Sequence, residues 1–154
     1  MQGEQVIIDA LNDVLTNELT AINQYFIHAK MFKAWGFTKL GKKIHDESIG
    51  EMKHADALID RILYLEGVPE IARYHPIRVG KDTDKIFAND LALERSGVQT
   101  LNQHIALCLK HNDGGSRDLM EKILTGSEDH VDWLETQIDV ISKIGLQNYL
   151  SEQL

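Results

Sequence analysis

Four long stretches of this chain carry apolar residues at intervals of three and four, the spacing that places them on one face of a helix. The first, about 5 to 35, has Val6, Ala10, Leu11, Val14, Leu15, Ile22, Phe26 and Ala29 on its stripe and Gly36 at its end. The second, about 38 to 65, has Leu40, Ile44, Leu58, Ile62 and Leu65, with Thr38 as N-cap and Gly67 and Pro69 as the stop. The third, about 83 to 111, has Phe87, Leu91, Val98, Leu101, Ile105 and Cys108, and is followed by the turn signal Asn112-Asp113-Gly114-Gly115. The fourth, about 116 to 144, has Met120, Ile123, Leu134, Ile138 and Ile141, and Gly145 ends it. Each such helix is roughly 40 Å long. Residues 67–82 hold both prolines, Pro69 and Pro76, and show no period. That link is longer than the ~2–8 residues usual between helices. It is long enough to cross a bundle and join parallel neighbours. The expectation is an all-α chain forming one domain over 1–154, a four-helix bundle over about 5–144 with a long second-to-third crossover and a short C-terminal helix at about 146–153.

Charge and cysteine content narrow the function. A net charge of −8 is the opposite of a nucleic-acid footprint. Cys108 is the only cysteine, so no intrachain disulfide framework exists, and its place on the third stripe reads as a small core residue. Met-Gln-Gly-Glu-Gln at the start has no basic segment leading into an apolar run, and no window reaches the ~18 apolar residues of a membrane span. A cytoplasmic location is expected.

The stripes are interrupted by acids. Glu18 lies on the first, Glu51 on the second and Glu94 on the third, where an unpaired carboxylate is costly to bury. Three residues after Glu51 comes His54, on the same helical face. An offset of 76 maps Glu18 onto Glu94 and His54 onto His130. Two helix pairs, each offering a Glu and a Glu-x-x-His, form the dinuclear carboxylate set of a four-helix bundle. Carboxylates bridge cations and imidazole suits iron. The offset requires a Glu at 127, where the chain has Ser127 beside Gly126. Glu128 is rotated off the stripe, and only a bulge in the helix would bring it inward.

These residues resemble the bacterioferritins. The likeness runs through Asn17-Glu18-Leu19-Thr20-Ala21-Ile22-Asn23-Gln24-Tyr25-Phe26, Glu47-Ser48-Ile49-Gly50-Glu51-Met52-Lys53-His54-Ala55-Asp56, Arg61-Ile62-Leu63-Tyr64-Leu65-Glu66-Gly67 and Gly145-Leu146-Gln147-Asn148-Tyr149-Leu150. The resemblance implies a shell of twenty-four subunits storing a ferric mineral, with a centre that oxidises two ferrous ions by dioxygen or peroxide. It implies that Glu18 and His54 hold one iron, that Glu94 and His130 hold the other, and that Glu51 bridges them, with Tyr25 beside the centre. The family's second bridging Glu falls at Ser127. The resemblance also implies a haem b between two subunits, ligated by Met52 from each. Leu19, Ile22, Asn23, Phe26, Ile49 and Lys53 are expected around it. Met52 lies about 100° round the helix from Glu51, so it faces away from the core. A two-fold interface turns one methionine into a pair, and a thioether favours a reduced metal.

The chain departs from the family's pattern elsewhere. An accessory inner-surface iron site, which some members build from a histidine and an acid, meets Asp46 and Gly50 here. His28, His45, His75, His104 and His111 read as surface residues, and Lys39, Lys42 and Lys43 as a solvated face. Three functions compete. One is a haem-binding storage subunit that joins a second, complete bacterioferritin subunit in a mixed shell and takes electrons from a ferredoxin. The second is an active ferroxidase homomer in which water, Ser127 or Glu128 replaces the lost bridge. The third is a purely structural shell subunit.

Overall fold

The computed structural model describes residues 1–154. It is all-helical, with α1 (Gln5–Ala34), α2 (Thr38–Tyr64), α3 (Thr83–Lys110), α4 (Gly114–Ile144) and α5 (Leu146–Ser151). Helices α1 and α2 pack as one hairpin and α3 and α4 as another, with α1 against α3 and α2 against α4. The all-α four-helix bundle with a long α2–α3 link and a short C-terminal helix is as expected. Its core comes in two parts. One apolar cluster joins Ile7, Leu11, Val14 and Leu15 to Leu58, Ile62, Leu101, Met120 and Ile123. The other joins Tyr25, Phe32, Leu40 and Ile44 to Phe87, Leu91, Leu134 and Tyr149. The interrupting acids lie between the two clusters, so the bundle carries a polar layer at mid-height.

The end of α1 follows expectation, and both ends of α2 and the start of α4 do not. At the end of α1, Phe37 N–H donates to Phe32 O at 2.9 Å and Gly36 N–H to Lys33 O at 3.0 Å, with Gly36 at φ 89°. This pair of bonds closes a helix through one left-handed residue. The same pair closes α2 and α3, where the left-handed residues are Glu66 (φ 60°) and Asn112 (φ 56°). Glu66, rather than Gly67, therefore turns the chain out of α2. Gly67 has a packing role, since a Cβ there would come within 2.6 Å of Ile8 Cγ2. Thr38 is the first helical residue of α2, and Phe37 precedes it without a capping side chain. The capping side chains belong to Asp82, which accepts from Lys85 N–H, and Asp113, which accepts from Ser116 N–H. Helix α4 consequently starts at Gly114, two residues before Ser116. Val6, Phe26 and Ile138, placed on core stripes by spacing, are exposed.

The long link runs along α1 as a strap without strand or helix, so its backbone polar groups need other partners. Helix α1 supplies them at every fourth residue. Asn12 donates to Val68 O at 3.1 Å and accepts from Glu70 N–H at 2.8 Å. Thr16 accepts from Arg73 Nε at 2.8 Å, and Thr20 from His75 N–H at 3.0 Å. Gln24 accepts from Arg78 N–H at 3.1 Å, and His28 Nε2 from Gly80 N–H at 2.9 Å. His28 is fully buried, which corrects its reading as a surface residue. With Nε2 accepting, its Nδ1 carries the proton and donates to Asp90 Oδ1 at 2.8 Å. The ladder explains why α1 buries polar residues on the side opposite its apolar stripe.

Candidate metal centre

The mid-height layer brings together the side chains that the stripes single out. Glu18 from α1, Glu51 from α2, Glu94 from α3 and Ser127 from α4 are each 4 % exposed, and His130 is 2 % exposed. His54 Nδ1 lies 3.3 Å from Glu51 Oε2 and 3.5 Å from Glu18 Oε2. Across the layer His130 Nδ1 lies 3.2 Å from Glu94 Oε1. Tyr25 donates to Glu94 Oε1 at 2.5 Å and sets its ring edge-on to His130, centroids 5.1 Å apart. Ligand atoms of Glu18, Glu51 and His54 lie within 4.8 Å of one another. A second such group is Glu47, Glu51 and His130. Glu51 belongs to both, so one carboxylate faces two groups of ligand atoms.

Electrostatics mark the layer as under strain. Burial raises the Glu18 carboxyl to about 7, against the pull of the hydrogen bond and charge of His54. Burial lowers the His54 imidazole, but the hydrogen bond and charge of Glu18, with Glu94 and Glu47 beyond, outweigh it and leave it raised. Burial, reinforced by Glu94, pushes the Tyr25 phenol well above its usual range. Glu18 Oε2 is buried, and its 3.5 Å approach to His54 Nδ1 is too long to satisfy it. A buried carboxylate oxygen in that state is expensive, and a cation would stabilise it. The chemistry of the donor set, carboxylates with imidazoles and a shared central Glu, suits two divalent transition-metal ions.

Glu128 falls where its place off the stripe puts it, and Glu47 is a residue that the stripes left aside. Helix α4 is unbroken α-helix through 127, so no bulge turns Glu128 inward. Glu128 is exposed and lines a separate groove with Arg95, Val98, Val131, Asp132 and Glu135. Glu47 was not singled out. Its Oε2 lies 3.6 Å from His130 Nδ1, while its Oε1 accepts from Lys43 Nζ at 2.9 Å. Lys43 also sits 5.0 Å from the Trp133 ring centroid, so it is partly packed rather than simply solvated. The available signal was spacing, since Glu47 precedes Glu51 by one helical turn. The internal repeat hid it, because the same offset of 76 lands on Ile123.

Comparison with known proteins decides the family. A family model of the ferritin-like domain matches residues 8–144. The chain is 45 % identical to a bacterial ferritin of Pseudomonas aeruginosa over the whole of both chains. It is 43 % identical to a bacterioferritin of Mycobacterium leprae and 42 % to one of Mycolicibacterium paratuberculosis, each over 99 % of this chain and 96 % of the relative. The chain belongs to the bacterioferritins. The outward face of the α1–α2 hairpin exposes apolar side chains. Ser48 Oγ donates to Ile22 O at 2.9 Å, which sets α2 beside α1 at this level. Met52 is 50 % exposed, Phe26 49 % and Ile49 36 %. Leu19 and Ile22 are half-buried, and Asn23 and Lys53 are exposed. An exposed thioether amid exposed apolar side chains, with polar groups at its margin, fits a flat apolar macrocycle held by soft ligation. No helix of the chain is long and apolar enough to cross a membrane.

Proposed function

We propose that this chain is an iron-storing bacterioferritin subunit, one ferritin-like domain over 1–154, that binds haem b between two subunits and oxidises ferrous iron poorly as a homomer. Ferrous ions are its substrate and the ferric mineral its cargo. The observation that carries the reading is the buried layer in which Glu51 is shared by two groups of metal-ligating atoms, with serine at the symmetric position. Glu18, Glu51 and His54 take one ion. Glu94 and His130 take the other, and Tyr25 orients Glu94 through its hydroxyl. Two ferrous ions bring four positive charges into a bundle whose family ligands here supply three negative ones. Ser127 is neutral and too short to span two ions, so a single carboxylate joins them. Loss of even a supporting partner costs about 10–100-fold in affinity or activity, and loss of a bridge costs at least that.

A haem would sit on the Met52 face, held by Met52 from each of two subunits, with Leu19, Ile22, Asn23, Phe26, Ile49 and Lys53 around it. When bound, it supplies one-electron transfer toward the mineral. The protein's part is to hold it dry between two apolar faces and to present sulfur, which favours the ferrous state. We further propose a cytoplasmic shell of twenty-four subunits, shared with a second bacterioferritin subunit carrying Glu at the register of 127. A small ferredoxin supplies electrons for release.

The test is stopped-flow iron oxidation on the purified homomer and its Ser127→Glu variant. The wild type is expected to be at least ~10-fold slower than the variant. A wild type that oxidises two irons per subunit as fast as Ser127→Glu would mean that the homomer is an active ferroxidase.

A further inference from the structure

The carboxylate missing from α4 has a counterpart on α2. We propose that Glu47 is a ligand of the second metal position, completing Glu94 and His130 there, and that the chain therefore binds two divalent ions per subunit despite Ser127. The inference rests on the di-metal reading above and adds a ligand to it.

Three observations converge. Glu47, Glu51 and His130 present ligand atoms within 4.8 Å of one another, the separation expected of donors around one ion. Glu47 Oε2 and Glu94 Oε1 approach the same nitrogen, His130 Nδ1, at 3.6 and 3.2 Å. Independently, Glu18 Oε2 in the same layer is buried with no close hydrogen bond, and a cation in the layer would satisfy it. Glu47 restores the fourth negative charge opposite two divalent ions. It does not restore the bridge, because Lys43 Nζ holds its other oxygen at 2.9 Å and keeps that oxygen turned away. Binding of two ions and slow oxidation are therefore compatible in one site. Glu47 is half-buried, at 23 % side-chain exposure, and so stands at the rim of the layer, where a ligand can swing without unpacking the core.

The experiment counts cobalt(II) bound per subunit by equilibrium dialysis, with visible absorption reporting coordination, on the assembled protein. Cobalt(II) is divalent, accepts the same donors and is not oxidised under these conditions. Wild type is expected to bind two ions. Glu47→Gln is expected to keep the first and weaken the second by tenfold or more, and Glu47→Gln/Ser127→Glu to regain it. Retention of the first ion by Glu47→Gln shows that the layer is intact. Two unchanged binding steps in Glu47→Gln would overturn the role of Glu47 and leave the di-metal reading standing. One ion in wild type would likewise overturn the proposal, and none would overturn that reading with it.

Discussion

At the scale of single residues, the chain places its charges where something else must stabilise them. Asp113 illustrates this away from the metal layer. It accepts from Ser116 N–H and Oγ at 2.9 and 2.8 Å and from Arg61 Nη2 at 2.9 Å, tying the start of α4 to α2. Burial alone would raise its carboxyl. The Ser116 hydrogen bonds and the Arg61 charge outweigh that and leave it below its usual value of 3.8. A carboxyl depressed in the folded state contributes stability above the unfolded value, and that contribution is lost as pH falls through the folded value. Asp113→Ala is expected to lose about 1 kcal/mol at pH 7 through the cap alone. The difference between wild type and variant should shrink below about pH 4, the range in which an aspartate takes up its proton. Thermal unfolding of both proteins across pH checks this, and a difference independent of pH would show that the charge is not what matters. Ser127 and Glu47 follow the same logic inside the layer. One position has lost a charge, and a neighbour one turn before Glu51 stands where it can replace it.

At the scale of elements, the helix ends are where local rules and packing compete. Glu66 occupies a left-handed conformation that costs a non-glycine residue roughly 1–2 kcal/mol. Gly67 next to it has an ordinary φ but no room for a Cβ. The two neighbours should therefore respond in opposite directions. Glu66→Gly is expected to raise the unfolding midpoint, and Gly67→Ala to lower it by the ~1–3 kcal/mol of an overpacked contact. If both variants shift the same way, the assignment of roles at this corner is wrong. The strap is the other element-scale feature. Asn12, Thr16, Thr20, Gln24 and His28 recur every four residues, but nothing local singled them out or said what they face. Their partners are the strap's own backbone groups and Arg73, 52 to 58 residues away along the chain.

At the scale of the whole molecule, the α1–α2 hairpin exposes Phe26, Ile49 and Met52. Apolar side chains exposed together on one face mark a surface that meets a partner. A two-fold axis is the economical way to cover it, because the same patch serves both sides. Haem reconstitution is expected to give one haem per two subunits and a Soret band characteristic of thioether ligation. Met52→Leu should abolish that band and Met52→His should shift it, with the helical circular dichroism unchanged. An unaltered spectrum in Met52→Leu would reject Met52 as the ligand.

Period and spacing determined the helices, their order, the crossover and the five metal-ligand candidates, because helical geometry maps positions three and four apart onto one face whatever surrounds them. Glu18, Glu51 and Glu94 were recognisable as interruptions of apolar stripes, and Ser127 by an internal repeat. What distances between helices decide was hidden. That includes Glu47 reaching His130 from another helix, Lys43 holding it and His28 buried beneath the strap. Each depends on how two or more elements pack, and a stripe on one helix carries no information about which side chain of another will meet it.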